Sequence, residues 1–167
     1  MKPKTVGRDN GKPAAQSPKE INGLMADSIV MTMQGEKQVQ DICPGERIIT
    51  RDSGMAVVKS VRSHTAHMRS VHIKAGSLGH TRPERDVTLS AGQNILIRDW
   101  RAQALFGVSR ALVPASRLVD GEFVTFGDTI TTTLYELSFD RPHVLYVDGL
   151  EVASNASETA IAKPKAA

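Results

Sequence analysis

From Ser28 to Val152 the chain runs in short stretches of alternating apolar and polar positions, each stopped by a turn signal. A period of two puts successive side chains on opposite faces, so it predicts strands rather than helices. "SIVMTM" predicts a strand over 28–33, and "KQVQDI" alternates back after the turn "QGEK". At Pro44-Gly45-Glu46 the proline presets one turn position and the glycine relieves the strained one. "RIITRD", the turn "DSG" and the longer strand "MAVVKSVRSHTA" follow. "SVHIKAG" is expected as a separate strand ended by Gly76, before the loop "SLGHTRPERD".

The next stretch, "DVTLSAGQNILIRD", reads as one strand from Asp86 to Asp99 that breaks and restarts. Val87 and Leu89 alternate with Thr88 and Ser90. Then come the small or polar Ala91, Gly92, Gln93 and Asn94, before Ile95 and Ile97 resume the pattern. Beyond it, "DWRAQALFG" predicts one or two helical turns closed by Gly107, "ALVP" a short strand and "ASRLV" a helical turn. "TITTTLYELSFD" is rich in β-branched residues and predicts a long strand. "HVLYVDGLEVA" predicts a final pair turned at Asp148-Gly149. The sum is an all-β body with short helical turns.

Composition sharpens this picture. Hydrophobic residues make up 40% and aromatics only 4%, so the core must be aliphatic. Three segments are expected: a basic, disordered tail over 1–20, a β domain over 21–154, and a flexible tail over 155–167. The net charge of +3 resides in the tails. Over residues 1–19, Lys2, Lys4, Arg8, Lys12 and Lys19 face Asp9 alone, and Lys163 and Lys165 face Glu158, so the body is slightly acidic. With no basic helix and no aromatic platform in that body, nucleic acid is not an expected partner. No apolar run approaches the roughly 20 residues that cross a bilayer, and the first residues lack the apolar stretch of a signal peptide. A single cysteine, Cys43, fits a reducing compartment. The expectation is a cytoplasmic protein without membrane insertion, export by another route left open.

The order of these stretches resembles the Hint domain, the Hedgehog/intein β fold of self-processing proteins, and is closest to its bacterial stand-alone form. "SIVMTMQGEKQVQDICPGERIITRDSG" is similar to the opening strands with their Pro-Gly-acid turn and "TRD-G" ending. "VHIKAGSLG" with "RDVTLSAGQNILI" is similar to the middle block, "ALFG…ALVPASRLVDG" to the connecting segment, and "LYELSFDRPHVLYVDGLEVAS" to the closing block. The resemblance implies a flat, horseshoe-like β fold. It also accounts for the hitch: active members bend the strand there to aim a histidine, a few residues after a Ser or Thr, at the peptide bond to be broken.

Residue by residue, the resemblance implies a damaged site. The matching Ser is Ser90, but the histidine position holds Gln93. An amide hydrogen-bonds well yet does not deliver a proton near neutral pH. The nucleophile position, normally Cys or Ser, falls on Gly23, which has no side chain to attack the Asn22 carbonyl. His143 matches the histidine of the closing block, with Asp140 three residues earlier as its candidate partner and Asp86 as another supporting carboxylate. Cys43 reads as a small semi-buried residue, and Ser28 as a turn former. Asn155 is similar to the terminal Asn that cyclises in inteins, but no His precedes it. His64, His67, His72 and His80 lack the Cys or acidic spacing of a zinc site, and no metal or cofactor is expected. Two function classes follow. One is a degenerate, non-catalytic module binding a protein partner; the other is an active autoproteolytic domain that cleaves or splices in cis.

Overall fold

The computed structural model describes residues 22–79 and 81–154. The chain runs through twelve strands: β1 (Leu24–Met25), β2 (Ile29–Thr32), β3 (Gly35–Gln38), β4 (Arg47–Thr50), β5 (Gly54–Val57), β6 (Ser60–Ile73), β7 (Val87–Ser90), β8 (Asn94–Ile97), β9 (Ala111–Pro114), β10 (Val124–Ser138), β11 (Val144–Val147) and β12 (Leu150–Ala153). Among the described residues one short helix, α1 (Trp100–Phe106), and 3-10 turns at Val39–Asp41 and Ala115–Leu118 complete them. All strand pairs are antiparallel. A four-stranded sheet runs β1-β10-β6-β7. An eight-stranded sheet runs β3-β2-β4-β11-β12-β8-β9, with β5 on the far side of β4. The all-β expectation holds, and so do the capped helix and the closing hairpin. Gly107 ends α1 in the left-handed conformation at φ 69. Asp148 and Gly149 both take positive φ, as a two-residue turn matched to strand twist requires.

Three boundaries differ from the sequence reading. "MAVVKSVRSHTA" and "SVHIKAG" are not two strands split near His67. The break falls at Val58-Lys59, and the fourteen residues of β6 run unbroken. The reason is its partner, β10, whose fifteen residues pair along nearly all of it, with one register shift between Phe126 and Thr129. Secondly, "KQVQDI" is strand only to Gln38, because Val39 turns into a 3-10 turn that buries its side chain. Thirdly, β1 escaped notice because two residues carry no period; β10 holds it through Leu24↔Tyr135 and Met25↔Leu134.

The hitched stretch is likewise two strands rather than one. β7 belongs to the small sheet, through β6, and β8 to the large one, through β12 and β9. The chain changes sheets at Ala91-Gly92. The core that fills the molecule is aliphatic, with Val30, Ile48, Val71, Ile73, Ile95 and Leu145 fully buried. A smaller cluster of Ala66, Met68 and Leu134 lies under β1.

Candidate functional site

The sheet change builds the first centre. Gln93 N–H donates to the Ser90 carbonyl at 3.0 Å, closing a four-residue turn. Ser90 Oγ accepts the Gly92 N–H at 3.3 Å. The buried Ser90 side chain thus supports the turn that carries position 93. Ala91 N–H reaches Arg69 O at 2.9 Å, and Ala115 N–H reaches Gln93 O at 2.9 Å, so both sheets hold the bend.

Gln93 is 1% exposed. Its Nε2 donates to Asn94 O at 3.0 Å and to Ala153 O at 3.1 Å. Its Oε1 has no partner among the described residues. Gln93 lines a cavity of about 10 Å³ that it shares with Gly23, walled by Leu89, Val147, Leu150 and Val152. The two positions expected to carry nucleophile and proton donor therefore meet in one place. Gly23 brings no side chain to that place, and Gln93 brings an amide. A Cβ on Gly23 would lie 3.1 Å from Leu134 Cβ, closer than ordinary contact. Asn22, whose carbonyl precedes Gly23, is pinned by its own side chain, Oδ1 accepting Asn94 N–H at 3.1 Å.

His143 forms a second centre. It is 5% exposed, and its ring bonds on both edges. Nδ1 lies 2.9 Å from Asp52 Oδ2 and 3.2 Å from Ser53 Oγ, while Nε2 lies 3.3 Å from Asp140 Oδ1. Phe139 stacks edge-on against the ring at 5.5 Å. His143 N–H donates to Ser154 Oγ at 3.0 Å, and Ser154 N–H returns to His143 O at 2.8 Å. Partial burial pushes the Asp52 carboxyl up, but bonds from Val144 N–H and His143 outweigh it and leave it below the ordinary range. Asp140 is held low by its bond to His143. The expected Asp140–His143 pair is thus present.

Asp52, Ser53 and Ser154 were missed by the sequence reading. The only sequence signal for Asp52 was the "TRD-G" ending, and nothing ties it to a histidine ninety-one residues away. The remaining expectations separate. Asp86 is not in either centre; its Oδ1 accepts Ala75 N–H at 2.8 Å and closes the 74–86 loop. Cys43 is exposed rather than semi-buried, because it stands at the crest of the Pro-Gly turn. Ser28 sits in the turn before β2, its N–H bonded to Met25 O at 3.1 Å. His64, His67 and His72 all lie on β6 but take different partners: Glu136, Thr131 and Thr88. Among the described residues no group of three or more His, Cys, Asp or Glu could hold a metal ion. No helix among them is long and apolar enough to cross a membrane. His80, Asn155 and both expected tails lie outside the described residues.

A third feature stands apart. Glu151, with a side chain 2% exposed, is met by three guanidiniums: Arg82, Arg98 at 3.0 Å and Arg51 at 3.5 Å. Beside this cluster, on the outer face of the large sheet, lies a cavity of about 510 Å³.

Comparison with known proteins bears on this arrangement. The family model described as the Hint domain matches residues 22–158. Among solved structures, the chain is similar to a bacterial intein-like domain from Clostridium thermocellum. Identity is 14%, covering 81% of this chain and 99% of that one, with a TM-score of 0.59. It is also similar to a DnaB intein from Synechocystis sp. PCC 6803, at 15% identity, 82% and 100% coverage and a TM-score of 0.52. The MchDnaB-1 intein gives 8% identity, 79% and 99% coverage and a TM-score of 0.53. At such identities the structural likeness speaks for the fold alone. No curated protein matches the chain.

Proposed function

The chain belongs to the Hint domain family, and from that premise we propose that it is a catalytically silent member acting as a protein-binding module. The observation that carries this reading is the shared cavity of Gly23 and Gln93. Autoprocessing in this family starts when a side chain at the first position attacks the preceding carbonyl. Gly23 offers no such atom, and the space a Cβ would need is pressed by Leu134. Gln93 spends both amide hydrogens on backbone carbonyls and has no proton to give a leaving nitrogen. Removing the nucleophile eliminates the covalent route, whatever else survives.

His143 does not restore it. Both its ring nitrogens are engaged by carboxylates, Asp52 and Asp140, and the ring supplies no attacking atom at the first position. Ser53 lies close to Nδ1, but Asp52 is closer and competes for the same nitrogen. What remains is a rigid β scaffold without its reaction, and such scaffolds serve by binding.

The test is intact mass. Purified protein is expected to keep its full mass through prolonged incubation, with or without added thiol. A new species cut between Asn22 and Gly23 would overturn the proposal and favour the autoproteolytic reading.

A further inference from the structure

The large sheet turns one face to the core and the other outward. Val30, Ile48, Leu145 and Val147 face inward and are buried. Their neighbours Ile29, Met31, Ile49 and Tyr146 point the opposite way, yet they are only half-exposed. The segment Thr81–Arg85 provides the cover, leaving the cavity of about 510 Å³ between itself and the sheet. It is held in place by Leu78 N–H to Arg82 O at 2.9 Å, Gly76 N–H to Pro83 O at 2.8 Å, and the ion pair of Arg82 with Glu151. The size falls within the roughly 300–1,000 Å³ of ligand-binding clefts.

The charges around it are uneven. Glu36, Glu84 and Asp148 line the cavity, together with Arg82 and Arg85. Arg82 is committed to Glu151, which lies outside the cavity and gathers Arg51 and Arg98 on that side. Three carboxylates therefore face a single uncommitted guanidinium, Arg85. Asp148 Oδ1 accepts the Ile29 N–H at 3.1 Å. Burial holds its carboxyl above the ordinary range, with the Ile29 N–H and Arg85 pulling the other way, so Glu36 and Glu84 supply most of the negative charge. Glu36 and Glu84 form no ion pair among the described residues. The floor is apolar and includes an aromatic ring, whereas the rim is acidic.

We propose that this cavity binds an extended segment of a partner protein carrying a lysine or arginine beside aliphatic residues. The long alkyl stem of such a side chain lies along Ile29, Met31, Ile49 and Tyr146, and its charged head reaches Glu36, Glu84 and Asp148. The site is separate from the Gly23–Gln93 cavity, although Asp148 borders both. Only the biological sense of the inference rests on the binding role proposed above; the binding itself is measured without reference to cleavage.

The probe is a fluorescein-labelled heptapeptide alternating lysine and valine, titrated with the full chain and followed by anisotropy. A counterpart with glutamate for lysine is run beside it. The basic peptide is expected to bind with a dissociation constant on the order of 10 µM, and the acidic one not to bind at tenfold higher concentration. Glu36→Gln with Glu84→Gln should weaken the basic peptide about tenfold, as should raising the salt, with an unchanged melting transition. Ile49→Ser, which removes floor rather than charge, should weaken it as well.

Equal binding of the two peptides, or no change in the double variant, would overturn the proposal. So would binding seen only after Lys2, Lys4, Arg8, Lys12 and Lys19 are all replaced by Gln in the full chain. That outcome would assign the cavity to the chain's own N-terminal residues. Self-cleavage would sink the silent-domain reading and leave this site standing, whereas failed peptide binding would do the reverse.

Discussion

Around Gly23 the wall is aliphatic, and the polar atoms of Gln93 that find partners find backbone carbonyls. Around His143, by contrast, a ring, two carboxylates and two hydroxyls all engage one another. The sequence resemblance led to both places, yet one is lined by aliphatic side chains and the other by polar groups. The difference lies in what each place joins. The Gly23 cavity is bounded by strands that the core already holds. His143 ties the β4–β5 turn, the loop after β10 and the end of β12, three pieces far apart in sequence. In this chain the polar network sits where it joins separate segments, and aliphatic packing surrounds Gly23.

The comparison breaks most readily at His143. His143→Ala removes a buried ring and leaves Asp52, Ser53 and Asp140 without their common partner, while the backbone bonds between position 143 and Ser154 remain. An expected loss of about 2–3 kcal/mol, read by urea denaturation, reflects mainly the lost packing of the ring, with the bond to Asp52 discounted for its partial exposure. A loss below about 0.5 kcal/mol would mean that the network fastens nothing and that His143 is kept for some other purpose.

Gly23 tests the other side. At a position with open space and ordinary φ, Gly→Ala stabilises through the unfolded chain. Here the new methyl meets Leu134, which is itself fully buried and cannot move aside. Gly23→Ala is therefore expected to cost about 1 kcal/mol, with the melting temperature falling accordingly. A rise would show that the cavity is loose enough to admit a nucleophile.

The smallest effect concerns acid. Asp52 and Asp140 are both held below the ordinary carboxyl value of 3.8 in the folded protein. Below that value the unfolded chain binds more protons than the folded one, so stability falls as pH drops through the folded values. Asp148, raised by burial, works in the opposite sense. Asp52→Asn should flatten the decline of the denaturation midpoint on the acid side. An unchanged acid slope would remove Asp52 from the fastening.

The strands, the Pro-Gly turn, the capped helix and the Asp148-Gly149 hairpin were legible because each is written in adjacent residues. The continuity of β6 was not, since its run from Ser63 to Arg69 is mostly polar and becomes strand only through β10. That positions 23 and 93 stand together was expected only from the family's order, and the structure brings both to one cavity. That Leu134 presses on Gly23, or that Asp52 meets His143, depends on pairings across about a hundred residues. Nor does the alternation in β2, β4 and β11 reveal that the outward-facing set is roofed. The residues of that roof sit in a loop whose sequence says only turn.

The strand order also dictates timing during synthesis. β12 lies between β11 and β8 in the large sheet, and β1 clasps β10. β8 and β9 thus lack their link to β2 and β4 until residues 150–153 have been made. Before that the nascent polypeptide holds exposed, half-paired edges, the condition in which β proteins are slowest to fold and readiest to aggregate. For this architecture β12 is the keystone, and the interval before it leaves the ribosome is the period of greatest risk.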